Sequence, residues 1–159
     1  MKQLNPPLEK LQIGIMRSIQ LFSEEQTAEN RSQYSYLLEL DRVVDIFKDT
    51  ESVDVIGLVD SSQKLFFDRN EKTKGVFLDS VLRKDGLIKV ADNLEKFYAA
   101  VTLVQSVWEG KEEEWGLEKT PENIKLRDEI IEEIKQSNPD SDIEFWNHEA
   151  FRELDIGMY

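Results

Sequence analysis

The sequence has its most regular apolar pattern in residues 86–110, which read GLIKVADNLEKFYAAVTLVQSVWEG. Apolar side chains recur there at alternating spacings of three and four: Leu87, Val90, Leu94, Phe97, Val101, Val104 and Trp108. This spacing is typical of one face of an α-helix. A second apolar set widens that face: Ala91, Tyr98, Ala99, Leu103 and Val107. The stretch therefore predicts a central helix at 87–109 that neighbours cover on several sides.

Two helices are predicted before residue 50. The first follows Asn5-Pro6-Pro7, because Asn is a common N-cap and Pro is favoured at the first helical position. It carries apolar residues through Phe22. Ser23-Glu24-Glu25-Gln26 then has the spacing of a capping box, which permits a break, although one continuous helix is the alternative. The second helix is predicted at about 26–49.

Residues 53–67 are rich in β-branched and aromatic side chains. VDVIGLVD at 53–60 and KLFFD at 64–68 are separated by three polar residues, which is a hairpin distance. Short apolar runs also fit a buried helix, because periodicity alone does not separate the two. The prediction is a small β-hairpin at about 53–67, and the alternative is an all-α chain.

The remaining stretches predict helices. A short helix is predicted at 76–84. Thr120-Pro121 marks the start of another helix and Asn138-Pro139 its end. Ser141–Glu144 has the spacing of a capping box and predicts a last helix. The predicted fold is therefore mainly α: a single domain, 1–159, with about six helices bundled around the helix at 87–109, together with the small hairpin.

The composition excludes several kinds of chemistry. The chain has no cysteine, which excludes disulfides, thiolate metal ligands and thiol nucleophiles, and His148 is its one histidine. Glycine-rich phosphate loops and the GxSxG nucleophile motif are absent from the sequence. We therefore predict no catalytic residue, no cofactor and no metal, and hence no enzyme.

The negative charge is concentrated in the last third of the chain. The net charge is −13, and residues 101–159 hold 16 acidic and 6 basic side chains. Such a surface repels phosphate backbones, so we expect this third not to bind nucleic acid directly. It favours a basic protein partner, including a protein that itself binds nucleic acid. The alternative is that the charge only keeps the protein soluble.

The predicted partner-binding site lies in the charged connector at 111–119. Glu112, Glu113 and Glu114 precede Trp115, which combines an aromatic anchor with a charged rim. Tryptophan is enriched at the energetic centres of protein interfaces. The alternative is that Trp115 folds back over the end of the central helix.

Other acidic and aromatic groups were weighed against ordinary structural roles. Glu144 and His148 share a helix face and could act as a general base or weak metal ligands, but Glu144 also fits a capping role. A calcium loop beginning at Asp140 is rejected, because its sixth and twelfth positions are phenylalanines. The carboxylates around the hairpin are favoured as ordinary charges at the hairpin ends: Asp54, Asp60, Asp68 and Glu71, beside Lys72. The aromatic set Phe97, Tyr98, Trp108 and Trp146 is favoured as core.

These observations predict a non-enzymatic, acidic interaction protein that binds or inhibits a basic partner. A cytoplasmic location is expected, because the first ten residues lack a signal-peptide pattern and no apolar run is long enough for a membrane span. The alternative is a regulatory or sensory module with a small ligand pocket between the hairpin and the central helix. A third reading is a metal-dependent hydrolase.

Overall fold

The computed structural model describes residues 10–14, 17–79, 86–108 and 120–149. Its main feature is a six-stranded antiparallel sheet in which the strands follow one another in chain order. The strands are β1 (Lys10–Gly14), β2 (Arg17–Leu21), β3 (Val53–Val59), β4 (Gln63–Asp68), β5 (Val76–Asp79) and β6 (Leu87–Ala91). The helices are α1 (Glu24–Asn30), α2 (Asp41–Ile46), α3 (Leu94–Trp108) and α4 (Pro121–Ser137). Short 3-10 helices lie at Ser35–Glu39 and Thr50–Ser52, and a π-helical turn lies at Phe145–Glu149.

The prediction of a mainly α bundle is wrong. The described part of the first predicted helix forms β1 and β2, which pair as neighbours with Leu11 opposite Ile19. The signal that was missed is the apolar–polar alternation of KLQIG and SIQL, which has the two-residue period of a strand. Residues 76–79, predicted as helix, form β5. A sheet, and not a central helix, is therefore the framework of the fold.

The predicted helix at 87–109 is two elements. Residues 87–91 form β6, and α3 begins only at Leu94. Asn93 separates the two, because its side-chain oxygen accepts a hydrogen bond from the Lys96 backbone N–H at 2.8 Å, as a helix N-cap does. The apolar spacing of three and four continues across this boundary although the secondary structure changes there. Leu87 and Val90 fit the helical spacing, but they also fit a short strand that is buried on both faces.

The predicted hairpin at 53–67 is present, although not as an isolated one. β3 and β4 pair from Val53 opposite Asp68 to Val59 opposite Gln63, so the all-α alternative is wrong. Asp60 and Ser61 form the turn with φ angles of 51° and 65°. These two strands are the middle pair of the sheet, because β2 extends it on one side and β5 on the other.

The sheet has a helical layer and an apolar core on each face. β4 shows the division, because Leu65 and Phe67 belong to one core and Phe66 belongs to the other. On the first face, the core continues into α3, α4 and the π-turn through Phe97, Val101, Val104, Ile130, Ile134, Phe145 and Trp146. On the second face, it continues into the segment 22–47 through Phe22, Leu37, Val43 and Phe47.

Local helix signals were predicted better than the sheet. Ser23 and Gln26 form the predicted capping box, with both reciprocal hydrogen bonds at 3.0 Å. The helix predicted at 26–49 is instead divided into α1, the 3-10 helix at 35–39 and α2. Thr120 caps α4 by accepting from the Asn123 N–H at 3.2 Å, and α4 ends at Asn138, both as predicted.

The outer edge of β6 is covered by residues 138–146, which we call the edge segment. The Asp142 N–H donates to the Lys89 carbonyl at 2.7 Å, and the Trp146 indole N–H donates to the Val90 carbonyl at 2.8 Å. The Ser141 hydroxyl donates to Asp92, and the Glu144 N–H donates to Asp142. The capping box predicted at Ser141–Glu144 is therefore wrong, and a π-helical turn follows it. The bonds to the Lys89 and Val90 carbonyls occupy backbone groups that a sheet edge would otherwise offer to another chain.

Candidate interaction surface

The predicted binding residues Glu112, Glu113, Glu114 and Trp115 lie outside the described residues, in the connector between α3 and α4. The first described element after them is α4, which belongs to the same acidic third of the chain. The described part of the acidic surface begins with this helix.

The outward side of α4 carries a row of carboxylates. Ile130 and Ile134 are the buried residues of the helix and fix which side faces the core. Asp128, Glu129, Glu132 and Glu133 recur at helical spacings of three and four, and all four are exposed. We call these four residues the acidic face.

Few cations neutralise the acidic face. Lys125 approaches Glu129 at 3.9 Å, but the two side chains are 80% and 63% exposed, and such a pair contributes little. Arg127 pairs with Asp128 at 3.0 Å. Glu132 accepts a hydrogen bond from Gln136 at 3.2 Å, and among the described residues neither it nor Glu133 has a cationic partner. The face therefore presents a net negative charge to solvent, because Glu132 and Glu133 add to two carboxylates that are only partly neutralised.

The charge continues beyond α4. Residues 120–149 contain nine acidic and three basic side chains, a net charge of −6. Leu126, at 38% exposure, is one of the few large apolar side chains that the described surface leaves open, and it lies on α4 near the carboxylates.

A second polar cluster lies where α1 meets the start of β3. Asp54 is buried and accepts hydrogen bonds from Arg31 Nε at 2.8 Å, Arg31 Nη2 at 3.2 Å and Arg69 Nη1 at 3.0 Å. Arg69 Nη2 also donates to the Glu51 carbonyl at 2.9 Å. The hydrogen bond to Asp54 is the largest influence on the pKa of Arg31 and raises it, whereas burial acts to lower it. The pKa of Arg31 is therefore above its ordinary value. Asp54 therefore holds two guanidinium groups in place.

Asp68 is fully buried at the end of β4. Burial acts to raise the pKa of its carboxyl group, but hydrogen bonds from the Ser52 hydroxyl and from the backbone N–H groups of Thr73, Asn70 and Lys72 outweigh it. The net result is a pKa below the ordinary value for aspartate. These donors hold the loop after β4 against the 3-10 helix at 50–52, so Asp68 has a structural role.

The described residues give no support to a metal-dependent hydrolase. They contain no group of three or more His, Asp or Glu side chains that could hold a metal ion. Asp54 and Asp68 each face donors of their own, and the Asp142 carboxylate accepts the Glu144 backbone N–H at 2.9 Å. The predicted Glu144–His148 pair stays a prediction, because the His148 side chain is not among the described groups.

The space between the β3–β4 hairpin and α3 is filled by side chains. Phe67 of β4 and Phe97 of α3 belong to the same core, and Phe97 lies 5.8 Å from the Trp146 ring. Phe97 and Trp146 are thus core residues, as favoured from the sequence, and the side chain of Trp108 is not described. Tyr98 packs against the same core. Its pKa is raised above the ordinary value mainly by burial and, to a smaller extent, by the negative charge of Glu24. This packing gives no support to a ligand pocket at this position.

Sequence reasoning missed the arginine cluster. Arg31 and Arg69 lie 23 and 15 positions from Asp54. No local motif connects residues at such separations. The packing of α1 on β3 brings Arg31 to Asp54, and the pairing of β3 with β4 brings Arg69 there. Comparisons with protein-family models, with curated proteins and with solved structures find no match to this chain. The surface is therefore interpreted from its own chemistry.

In the described ranges, no helix is both long enough and apolar enough to cross a membrane.

Proposed function

We propose that this protein is a non-enzymatic, acidic interaction protein that binds or inhibits a basic protein partner. The observation that carries the proposal is the acidic face of α4, where four exposed carboxylates occupy two helical turns with little neutralisation. The predicted residues Glu112, Glu113, Glu114 and Trp115 precede α4 in the sequence and are proposed as part of the same partner-binding site. The proposed setting is the cytoplasm.

The chemistry of the face defines the partner. A concentrated negative field attracts positively charged surfaces and accelerates their association, whereas it repels nucleic acid. Lysine and arginine side chains of a nucleic-acid-binding protein normally form ion pairs with phosphates. The carboxylates of α4 can form ion pairs with the same side chains. Such a partner would then be inhibited by competition with its nucleic acid.

Net charge alone is the competing explanation, and two matched variants separate it from a defined surface. The acidic-face variant carries Asp128→Asn, Glu129→Gln, Glu132→Gln and Glu133→Gln. The control variant neutralises four exposed carboxylates of the segment 22–47, which covers the opposite face of the sheet: Glu25, Glu29, Glu39 and Asp45. Both variants change the net charge by the same amount.

Affinity capture from native lysate at low salt tests the proposal. The wild type and the control variant should retain the same basic protein, and the acidic-face variant should lose it. Equal loss from both variants would mean that only total charge matters. Equal retention by all three proteins would refute a role for the acidic face.

A further inference from the structure

The arginine cluster at the junction of α1 and β3 has an unbalanced charge. Arg31 and Arg69 are both permanently cationic, and Asp54 supplies one negative charge between them. Both cationic nitrogens contact the same carboxylate oxygen, at 2.8 and 3.0 Å, so they lie within about 6 Å of each other. The cluster keeps a net positive charge although the whole chain carries −13.

The two guanidinium groups retain unused donors. Arg31 uses Nε and Nη2 on Asp54, and Arg69 uses Nη1 on Asp54 and Nη2 on the Glu51 carbonyl. Each guanidinium has five N–H groups, so several remain. The side chains of Arg31 and Arg69 are 44% and 34% exposed, so both guanidinium-bearing side chains reach solvent in part. Asp54 fixes the positions of both forks in advance, which lowers the entropy cost of binding a ligand.

A buried hydroxyl beside the cluster has no partner. Thr27 is 7% exposed, and its Oγ1 makes no hydrogen bond within the described part of the chain. It lines a small cleft together with Asn30, Arg31 and Asp54. The cleft has a volume of about 10 Å³, which is the lower limit for one water molecule and leaves no room for a larger group. A water there would lie beside Arg31, which also lines the cleft, and can link Thr27 to a ligand that Arg31 holds.

We propose that Arg31 and Arg69 form a binding site for an oxyanion group, either a carboxylate or a phosphate, where their two guanidinium groups meet at Asp54. The planar forks of two arginines match the geometry of both groups and bind their oxygen atoms in pairs. This site is separate from the acidic face and does not depend on the function proposed for it.

The Arg42–Asp79 pair provides an internal control. Arg42 is also 34% exposed and contacts a carboxylate: its Nε lies 3.0 Å from Asp79 Oδ1 as an ion pair without hydrogen-bond alignment, and its Nη2 donates to Oδ2 at 3.3 Å. One arginine on one carboxylate is electrically neutral. The proposal therefore expects no oxyanion binding at Arg42.

Nuclear magnetic resonance titration of the full chain tests the proposal. The probes are sodium phosphate and, separately, sodium acetate, with ionic strength held constant by sodium chloride. The Nε–H signals of Arg31 and Arg69 should shift and saturate with a Kd on the order of millimolar, while the Arg42 signal stays in place. Saturation with phosphate alone identifies a phosphate site, with acetate alone a carboxylate site, and with both a general oxyanion site.

Two variants separate binding from a structural role. Arg69→Lys keeps the charge and loses the fork, so binding should weaken about tenfold or more, whereas Arg42→Lys should leave it unchanged. Thr27→Val removes the hydroxyl without changing the charge and should weaken binding severalfold, which tests the site even if Arg69→Lys fails to fold. Shifts that do not saturate, that appear equally at Arg42, or that persist unchanged in Arg69→Lys would overturn the proposal.

Discussion

Replacement of Trp146 by phenylalanine tests how the edge segment is held on β6. Trp146 is 1% exposed, and its indole N–H donates to the Val90 carbonyl at 2.8 Å. Phenylalanine keeps an aromatic ring among Phe97 and Phe145 but has no donor. The Val90 carbonyl then loses a buried partner, which costs about 1–3 kcal/mol, and the smaller ring adds a packing loss. We expect Trp146→Phe to lower the free energy of unfolding by roughly 2–4 kcal/mol.

Chemical denaturation measures the total loss, and amide hydrogen exchange locates it. The Asp142 N–H, which donates to the Lys89 carbonyl, should exchange faster in Trp146→Phe relative to amides in the centre of the sheet. Phe97→Leu is a control that reduces the same core without removing a hydrogen-bond donor. Unchanged stability, or an acceleration at Asp142 no greater than that in Phe97→Leu, would refute the assigned role of the indole bond.

Three further predictions concern the core, the pH dependence and the close packing of the sheet. Phe97→Ala should lower the free energy of unfolding by about 3–5 kcal/mol because Phe97 is fully buried, and Leu94→Ala should cost less because Leu94 is only partly buried; denaturant titration compares them. The pKa of Asp68 is lower in the folded state than in the unfolded chain, so its stabilising contribution is complete above about pH 4 and is lost as pH falls through the folded-state value. The free energy of unfolding should therefore fall less steeply with decreasing pH in Asp68→Asn than in the wild type. The same pH dependence of stability in the two proteins would contradict this. Gly57→Ala should destabilise by about 1–3 kcal/mol, because an added Cβ would collide with the Gln20 carbonyl of the neighbouring strand, and a melting temperature equal to that of the wild type would show that β2 can move away freely.

The sequence predicted those features that depend on nearby residues. The caps at Ser23 and Thr120 and the end of α4 at Asn138 each require only a few neighbouring positions, and all three are present. The hairpin at 53–67 was also predicted, because its two strands are joined by a short turn. Such features are decided by local chemistry.

The sheet as a whole could not be predicted from the same signals. β1 and β2 are five residues each, and at that length alternation competes with an apolar spacing that also fits a helix. β6 shares its apolar spacing with α3, and only Asp92-Asn93 marks the boundary between them. The pairing of β2 with β3 joins residues separated by more than 30 positions, which no local pattern encodes.

The candidate surface was predicted only in part. The acidity of the last third is a sum over residues and was visible in the sequence, and the structure adds that four of the carboxylates share one exposed side of α4. The arginine cluster on Asp54 was not visible, because three elements distant in the chain supply its members. Sequence therefore indicated the charge of the surface but not the arrangement of the groups that carry it.

The most direct test of the acidic-face proposal is the salt dependence of partner affinity. Isothermal titration calorimetry at several salt concentrations measures the affinity of the captured basic partner for the wild type, for the acidic-face variant and for the control variant. The proposal predicts that the acidic-face variant binds about tenfold or more weakly and with a reduced dependence on salt, while the control variant resembles the wild type. The same affinity and the same salt dependence in all three proteins would contradict it.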